Sequence, residues 1–151
     1  MVNYGWRSCL TSNQPSSFTF SADFFPKIVA DPQYNASLTG SWEVTVGEQE
    51  TFYHIWQYDG YAGYDKSSES LGKASLVRDL NNAVRPLLRH RSNFLCQEFA
   101  FWPTATAREM GGIYELRTYH LNPGKLLEWE QHWRKGIEAR KKYAEPVGAW
   151  L

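Results

Sequence analysis

Cysteine is scarce: the 151 residues contain two, Cys9 and Cys96. A disulfide-stapled secreted scaffold needs more, and no Cys/His spacing suited to a metal can be built from them. Long apolar runs are missing as well. No stretch approaches eighteen residues, so no segment reads as a membrane-spanning helix. Neither sign of charge is in excess, since 16 Lys+Arg balance 16 Asp+Glu. A phosphate-tracking protein needs surplus positive charge, which argues against a dedicated nucleic-acid binder. The sequence also lacks a Gly-x-Ser-x-Gly elbow, a phosphate loop and a dinucleotide fingerprint. Glu48/Glu50 and Glu128/Glu130 are close in sequence, but at two apart on a turn or a helix they do not face each other for paired acid–base work.

Aromatic residues are abundant: seven Trp, nine Tyr and eight Phe make up 16 % of the chain. With 42 % hydrophobic and 21 % charged residues, the composition is that of a globular protein of about one domain. Residues 1–20 hold no acid, one Arg and several Ser and Thr, which leans towards a transit peptide without its basic stripe. No apolar core of a secretory signal is present. Asn35-Ala36-Ser37 therefore reads as a chance match to a glycosylation acceptor.

Residues 1–37 show no sustained period and are expected to be mostly loop. Alternation then predicts a strand over 40–46, a turn at Gly47-Glu48-Gln49-Glu50, and a strand over 51–57. The second strand puts Phe52, His54 and Trp56 on one face and Tyr53, Ile55 and Gln57 on the other, which suggests a central strand. Helices are expected over 61–71 and 73–90, jointed near Gly72 and kinked at Pro86. Arg85, Arg89, His90 and Arg91 would then crowd a helix C-terminus, where cations are favoured. A strand over 93–102 follows, then a linker ending in Gly111-Gly112, then a strand over 113–121. Asn122-Pro123 reads as a helix start, with the helix running to about Tyr143, and 147–151 begins another strand.

Leu38-Thr39-Gly40-Ser41-Trp42 resembles Pro146-Val147-Gly148-Ala149-Trp150, which points to two related units. The element order is close to a permuted strand–helix–strand–strand–helix–strand unit. The fold class expected is α+β: a ferredoxin-like or dimeric α/β barrel, with an antiparallel sheet carrying helices on one face, in two incomplete units. The expected division is a poorly structured segment over 1–37, the back part of one unit over 38–103, and the front part of a second over 112–151. The pieces either close together as one domain or exchange with a second copy.

Six residues stand out as a candidate interface or pocket: Glu115, Arg117, Tyr119, His54, His120 and Trp56. In strand 113–121, alternation puts Glu115, Arg117 and Tyr119 on one face. Such a row could line a cavity and hold a polar ligand; the plainer reading is a buried ion pair at a dimer interface. His54 and His120 sit in apolar strands, where a histidine is usually a hydrogen-bonded core residue. Trp56 and the other tryptophans read first as packing. The Arg85–Arg91 cluster could meet anionic lipid but reads first as a solvated helix end, and Phe52-Tyr53-His54-Ile55 matches a degenerate autophagy-ligand pattern inside an expected core strand. No cofactor or metal is implied.

The segment Tyr114-Glu115-Leu116-Arg117-Thr118-Tyr119, then Asn122-Pro123-Gly124-Lys125, Glu128-Trp129, Trp133, Ile137 and Arg140, then Glu145-Pro146-Val147-Gly148-Ala149-Trp150, resembles the NipSnap family. Gly40-Ser41-Trp42, Gly47-Glu48, His54-Ile55-Trp56-Gln57-Tyr58 and Glu98-Phe99-Ala100-Phe101-Trp102 are similar to the family's first unit. The resemblance implies tandem ferredoxin-like units that form dimeric α/β barrels, and mitochondrial location, or cytoplasmic otherwise. It implies a non-enzymatic interaction or adaptor protein, with autophagy adaptors as partners and a role in mitochondrial quality control (mitophagy) or vesicle transport. A homo-oligomer without a membrane span, able to associate peripherally with membranes, is expected. Against the family pattern, the opening strand and helix of the first unit and the closing half of the second are expected to be missing. The alternative is a small-ligand-binding or catalytic dimeric α/β-barrel protein whose polar pocket is lined by Arg117, Tyr119 and His54 or His120.

Overall fold

The apolar residues on both faces of 51–58 dictate a strand in the middle of a sheet, and that is where the chain puts it. The computed structural model describes residues 2–10, 17–108 and 112–151, with side chains from residue 23 on. Its elements begin with strand β1 (Val2–Leu10), helix α1 (Ser17–Ala30) and a 3₁₀ turn (Pro32–Tyr34). Strands β2 (Ala36–Glu43) and β3 (Thr51–Tyr58) follow, then helices α2 (Gly60–Lys73) and α3 (Ser75–Val84), and strand β4 (Leu88–Gln97). Helix α4 (Leu126–Arg140) comes last. The sheet order is β2-β3-β1-β4, antiparallel throughout. A β-α-β-β-α-β succession in that order is the ferredoxin-like arrangement.

On β3, Phe52, His54, Trp56 and Tyr58 are all buried. Phe25 of α1 meets the rings of His54 and Trp56 edge-on, at 4.9 and 5.2 Å between centroids. Ile28, Tyr34, Trp56 and Tyr58 form the first core, flanked by Leu38, Tyr64, Leu71, Leu76 and Val77 from β2, α2 and α3. Phe52 is 2 % exposed; a burial of that kind contributes about 2–3 kcal/mol. A second core lies outside this sheet. Phe99, Trp102, Ile137 and Ala149 form it, with Phe101, Trp129 and Trp133 packed against them. Residues 149–151 run beside the end of β4: Glu98 bridges Trp150, and Gln97 and Leu151 exchange two backbone hydrogen bonds at 3.0 and 2.8 Å. The strand expected from 147 is therefore a single bridge with flanking hydrogen bonds.

Several expectations are corrected. The loop expected over 1–37 contains β1, α1 and the start of β2, so the opening strand and helix of the first unit are present. Residues 11–16 of that stretch, and the expected linker end at Gly111, lie outside the described residues. The helix over 73–90 stops at Val84; Pro86 forms a 3₁₀ turn, and β4 starts at Leu88. Arg89, His90 and Arg91 thus sit on a strand, not at a helix end. The strand over 93–102 begins five residues earlier and ends at Gln97, because Phe99 and Trp102 turn into the second core. The strand over 40–46 shifts to Ala36–Glu43. Asn122-Pro123 does not open the helix. The Asn122 carbonyl accepts from Lys125 N at 3.1 Å and Gly124 has φ +78°, which is the pattern of a type II turn with Pro at its second position. Residues 113–121 form no strand.

The two matching pentapeptides share one packing device. A Cβ added to Gly40 would lie 2.2 Å from Trp42 Cη2, and one added to Gly148 would lie 2.5 Å from Trp150 Cζ2. In each copy the indole folds back over the glycine two residues before it. Trp150 is fixed further by its Nε1, which donates to Thr104 Oγ1 at 3.1 Å.

Candidate interaction site

The six residues singled out divide between two places. His54 and Trp56 are held by β3 beneath α1. Ser41, opposite His54 across the β2–β3 ladder, lies with its Oγ 2.8 Å from His54 Nδ1. Phe25 and Phe52 flank the imidazole. Burial, assisted by the Arg91 charge, lowers the His54 pKa to about 4, so the ring is neutral at neutral pH and the hydroxyl can donate to it. This is a satisfied core histidine.

Glu115, Arg117, Tyr119 and His120 are exposed on the segment 113–121. Arg117 donates both Nε and Nη2 to the two carboxylate oxygens of Glu115, at 2.7 and 2.8 Å. Arg140, at the end of α4, adds a third bond to Glu115 at 3.3 Å. The hydrogen bond from Arg117 is the main reason the Glu115 carboxyl is held below its ordinary range, and the same contact raises Arg117. Tyr119 packs its ring, tilted, at 5.8 Å from Trp129 and edge-on at 5.9 Å from Trp133, and the two indoles are themselves 4.6 Å apart. Tyr114 meets Trp42 of β2 at 5.5 Å.

Among the described residues, the segment is fastened by side chains alone. No backbone hydrogen bond of 113–121 is found among the described residues. Two of its apolar side chains are open to solvent: Ile113 is 94 % exposed and Leu116 52 %. Backbone without strand partners beside exposed apolar side chains is open to pairing with another strand. Among the described residues, the side chains found against His54 are Ser41, Phe25 and Phe52, with the Arg91 charge acting on it, and none of these comes from this segment. Among the described residues, no group of three or more His, Cys, Asp or Glu is placed to hold a metal ion, and no helix is long and apolar enough to cross a membrane.

Sequence reasoning missed Ser41 and Arg140 as partners. Ser41 could have been found only from the hairpin register, and Arg140 only from the way α4 folds back along 113–121.

The sequence model of the NIPSNAP family matches residues 26–103 and 114–151. The chain belongs to the NIPSNAP family. Protein NipSnap homolog 2 of Homo sapiens is 35 % identical over 132 residues, covering 85 % of this chain and 46 % of that protein. Protein NipSnap homolog 1 of Danio rerio is 37 % identical over 124 residues, covering 80 % and 44 %. The chain therefore spans less than half the length of these NipSnap relatives. Among solved structures, an uncharacterized NIPSNAP domain protein from Burkholderia xenovorans aligns with TM-score 0.60 at 23 % identity, over 68 % of this chain and 99 % of that one. It shares the ferredoxin-like fold, and nothing beyond the fold follows from that likeness.

Proposed function

We propose that this NIPSNAP chain is a non-enzymatic interaction protein of mitochondria. Its partners in this reading are protein components of mitochondrial quality control, autophagy adaptors among them, with vesicle transport as the second setting and peripheral membrane association in either. It also assembles with copies of itself. The observation that supports this most is the segment 113–121: exposed, with Ile113 and Leu116 open to solvent, and without a backbone hydrogen bond among the described residues. A ligand-binding or catalytic reading asks His54 or His120 to share an enclosed space with Arg117 and Tyr119. Instead His54 is packed between aromatic rings under α1, while Arg117 pairs with Glu115, Tyr119 packs against Trp129 and Trp133, and His120 is exposed.

The test is binding of purified autophagy adaptors to the folded chain, alongside fractionation of cells that express it. The Leu116→Ser/Ile113→Ser double variant, altered at exposed positions, should fold normally and lose adaptor binding, while the parent chain should co-fractionate with mitochondria. Equal binding by parent and variant, or a parent found only in the cytosol, would overturn the reading.

A further inference from the structure

The basic residues expected at one helix end lie instead across a helix, a turn and a strand. Residues 70–97 hold one Lys and four Arg against a single Asp, in a chain whose charges cancel. Along α3, Arg78, Asn81, Asn82 and Arg85 recur at i, i+3, i+4 and i+7, which is one face of a helix. All four are exposed. The other face carries the half-buried Leu76, Val77, Leu80 and Val84, of which Leu76 and Val77 pack on the first core. Asp79 is turned about 100° around the helix from Arg78. Arg91 reaches the exposed face from β4, where its Nη1 donates to Asn81 Oδ1 at 3.4 Å. The face therefore presents guanidinium and amide donors and no carboxylate. Arg89 adds to it at the turn. The β1–β4 register passes from Cys9↔His90 to Leu10↔Leu88 and skips it, the two-against-one count of a bulge.

The charge here is unspent. Arg78, Arg85 and Arg89 have no ion-pair partner among the described residues, whereas Arg108, Arg117, Lys125, Arg134, Arg140 and Lys141 each hold a carboxylate. No large apolar side chain is exposed on α3, so the face lacks the anchor that a protein partner would grip and the rings that single-stranded nucleic acid would stack on. A planar array of phosphates engages guanidiniums on helix, turn and strand together. We infer that this face of α3, continued by Arg89 and Arg91, docks on a bilayer surface rich in anionic phospholipid, with the guanidiniums pairing to headgroup phosphates. Nothing on the face enters hydrocarbon, so the contact is reversible and salt-sensitive. It gives the peripheral membrane association proposed above a surface and a lipid class, and rests on that part of the reading, not on adaptor binding.

The experiment is co-sedimentation of the full chain with two kinds of vesicle: phosphatidylcholine alone, and phosphatidylcholine with phosphatidylglycerol at three parts to one. The chain should bind only the second, and more weakly as salt is raised. Arg78→Gln/Arg85→Gln should lower its partition about 25-fold, at about fivefold for each arginine near the surface. Lys135→Gln/Lys142→Gln removes the same charge from exposed positions on and just after α4, and should bind like the parent. Both double variants should match the parent in circular dichroism, since all four sites are exposed. Equal loss in the two variants, or a parent that does not distinguish the two vesicles, would overturn the inference. Inorganic phosphate should displace the chain no better than sodium chloride of equal ionic strength; stronger displacement would assign a site for one phosphate and overturn the membrane surface. Purified autophagy adaptor should bind Arg78→Gln/Arg85→Gln as it binds the parent. A variant that loses the adaptor and keeps the vesicles would overturn the lipid in favour of a protein partner. A parent that binds the adaptor and neither vesicle overturns this surface and leaves the adaptor reading standing.

Discussion

Acidifying the protein to about pH 4 should cost its first core about 3 kcal/mol through His54 alone. The histidine is 6 % exposed, and its pKa falls from 6.5 to about 4 through burial first and the Arg91 charge second. Because the folded value lies below the unfolded one, the unfolded chain binds the extra proton. The stabilisation is fully present above pH 6.5 and drains away as pH falls towards 4. At about 1.4 kcal/mol for each tenfold difference in proton affinity, about 2 kcal/mol is gone by about pH 5, before most carboxylates protonate. Protonation also ends the hydroxyl donation from Ser41 to Nδ1. Urea denaturation across this window should show a midpoint that falls with pH in the parent and stays level in His54→Leu. NMR titration should find the ring neutral well below pH 6.5. A His54 that titrates near 6.5, or a parent and variant with the same slope, would refute the reasoning.

Gly40→Ala and Gly148→Ala should each destabilise by about 1–3 kcal/mol and change tryptophan emission, because the new methyl meets Trp42 or Trp150. Gly136→Ala, in α4 with nothing within 4 Å of the added carbon, should instead gain about 0.5–1 kcal/mol in thermal unfolding. Ile137→Ala should cost about 2–5 kcal/mol and release α4, read as lost helical signal and red-shifted Trp129 and Trp133 emission, since Ile137 is 2 % exposed in the second core. Ser67→Ala should raise the melting temperature, by about 1 kcal/mol of stability, because Ser67 Oγ is buried with no hydrogen-bond partner among the described residues.

The middle of the fold was readable because its signals are local. Alternation placed β3 within one residue of its end, helical spacing found α2 and α3, and Pro86 marked where α3 gives way. What failed was the beginning. Val2, Tyr4 and Trp6 do alternate with Asn3, Gly5 and Arg7 before Ser8 breaks the pattern, a short strand signal masked by a composition that leans towards a leader. Pro26 inside α1 broke the helical pattern there, since a proline within a helix forfeits a backbone donor. At 113–121 the pattern of a strand is present, but a strand also needs a neighbour, and alternation carries no information about that. For the candidate site, the ion pair of Glu115 and Arg117 was legible from their shared face. The separation of both from His54 depends on which side of the sheet α1 covers, which no local pattern states.

Amide hydrogen exchange across the whole chain tests the central claim most directly, because it reports which strands are closed and which edge is open. The account predicts common, strong protection in β1 to β4, and free exchange of 113–121 that turns to protection when a purified autophagy adaptor is added. Protection of 113–121 in the chain alone, or an unprotected β1, would contradict it.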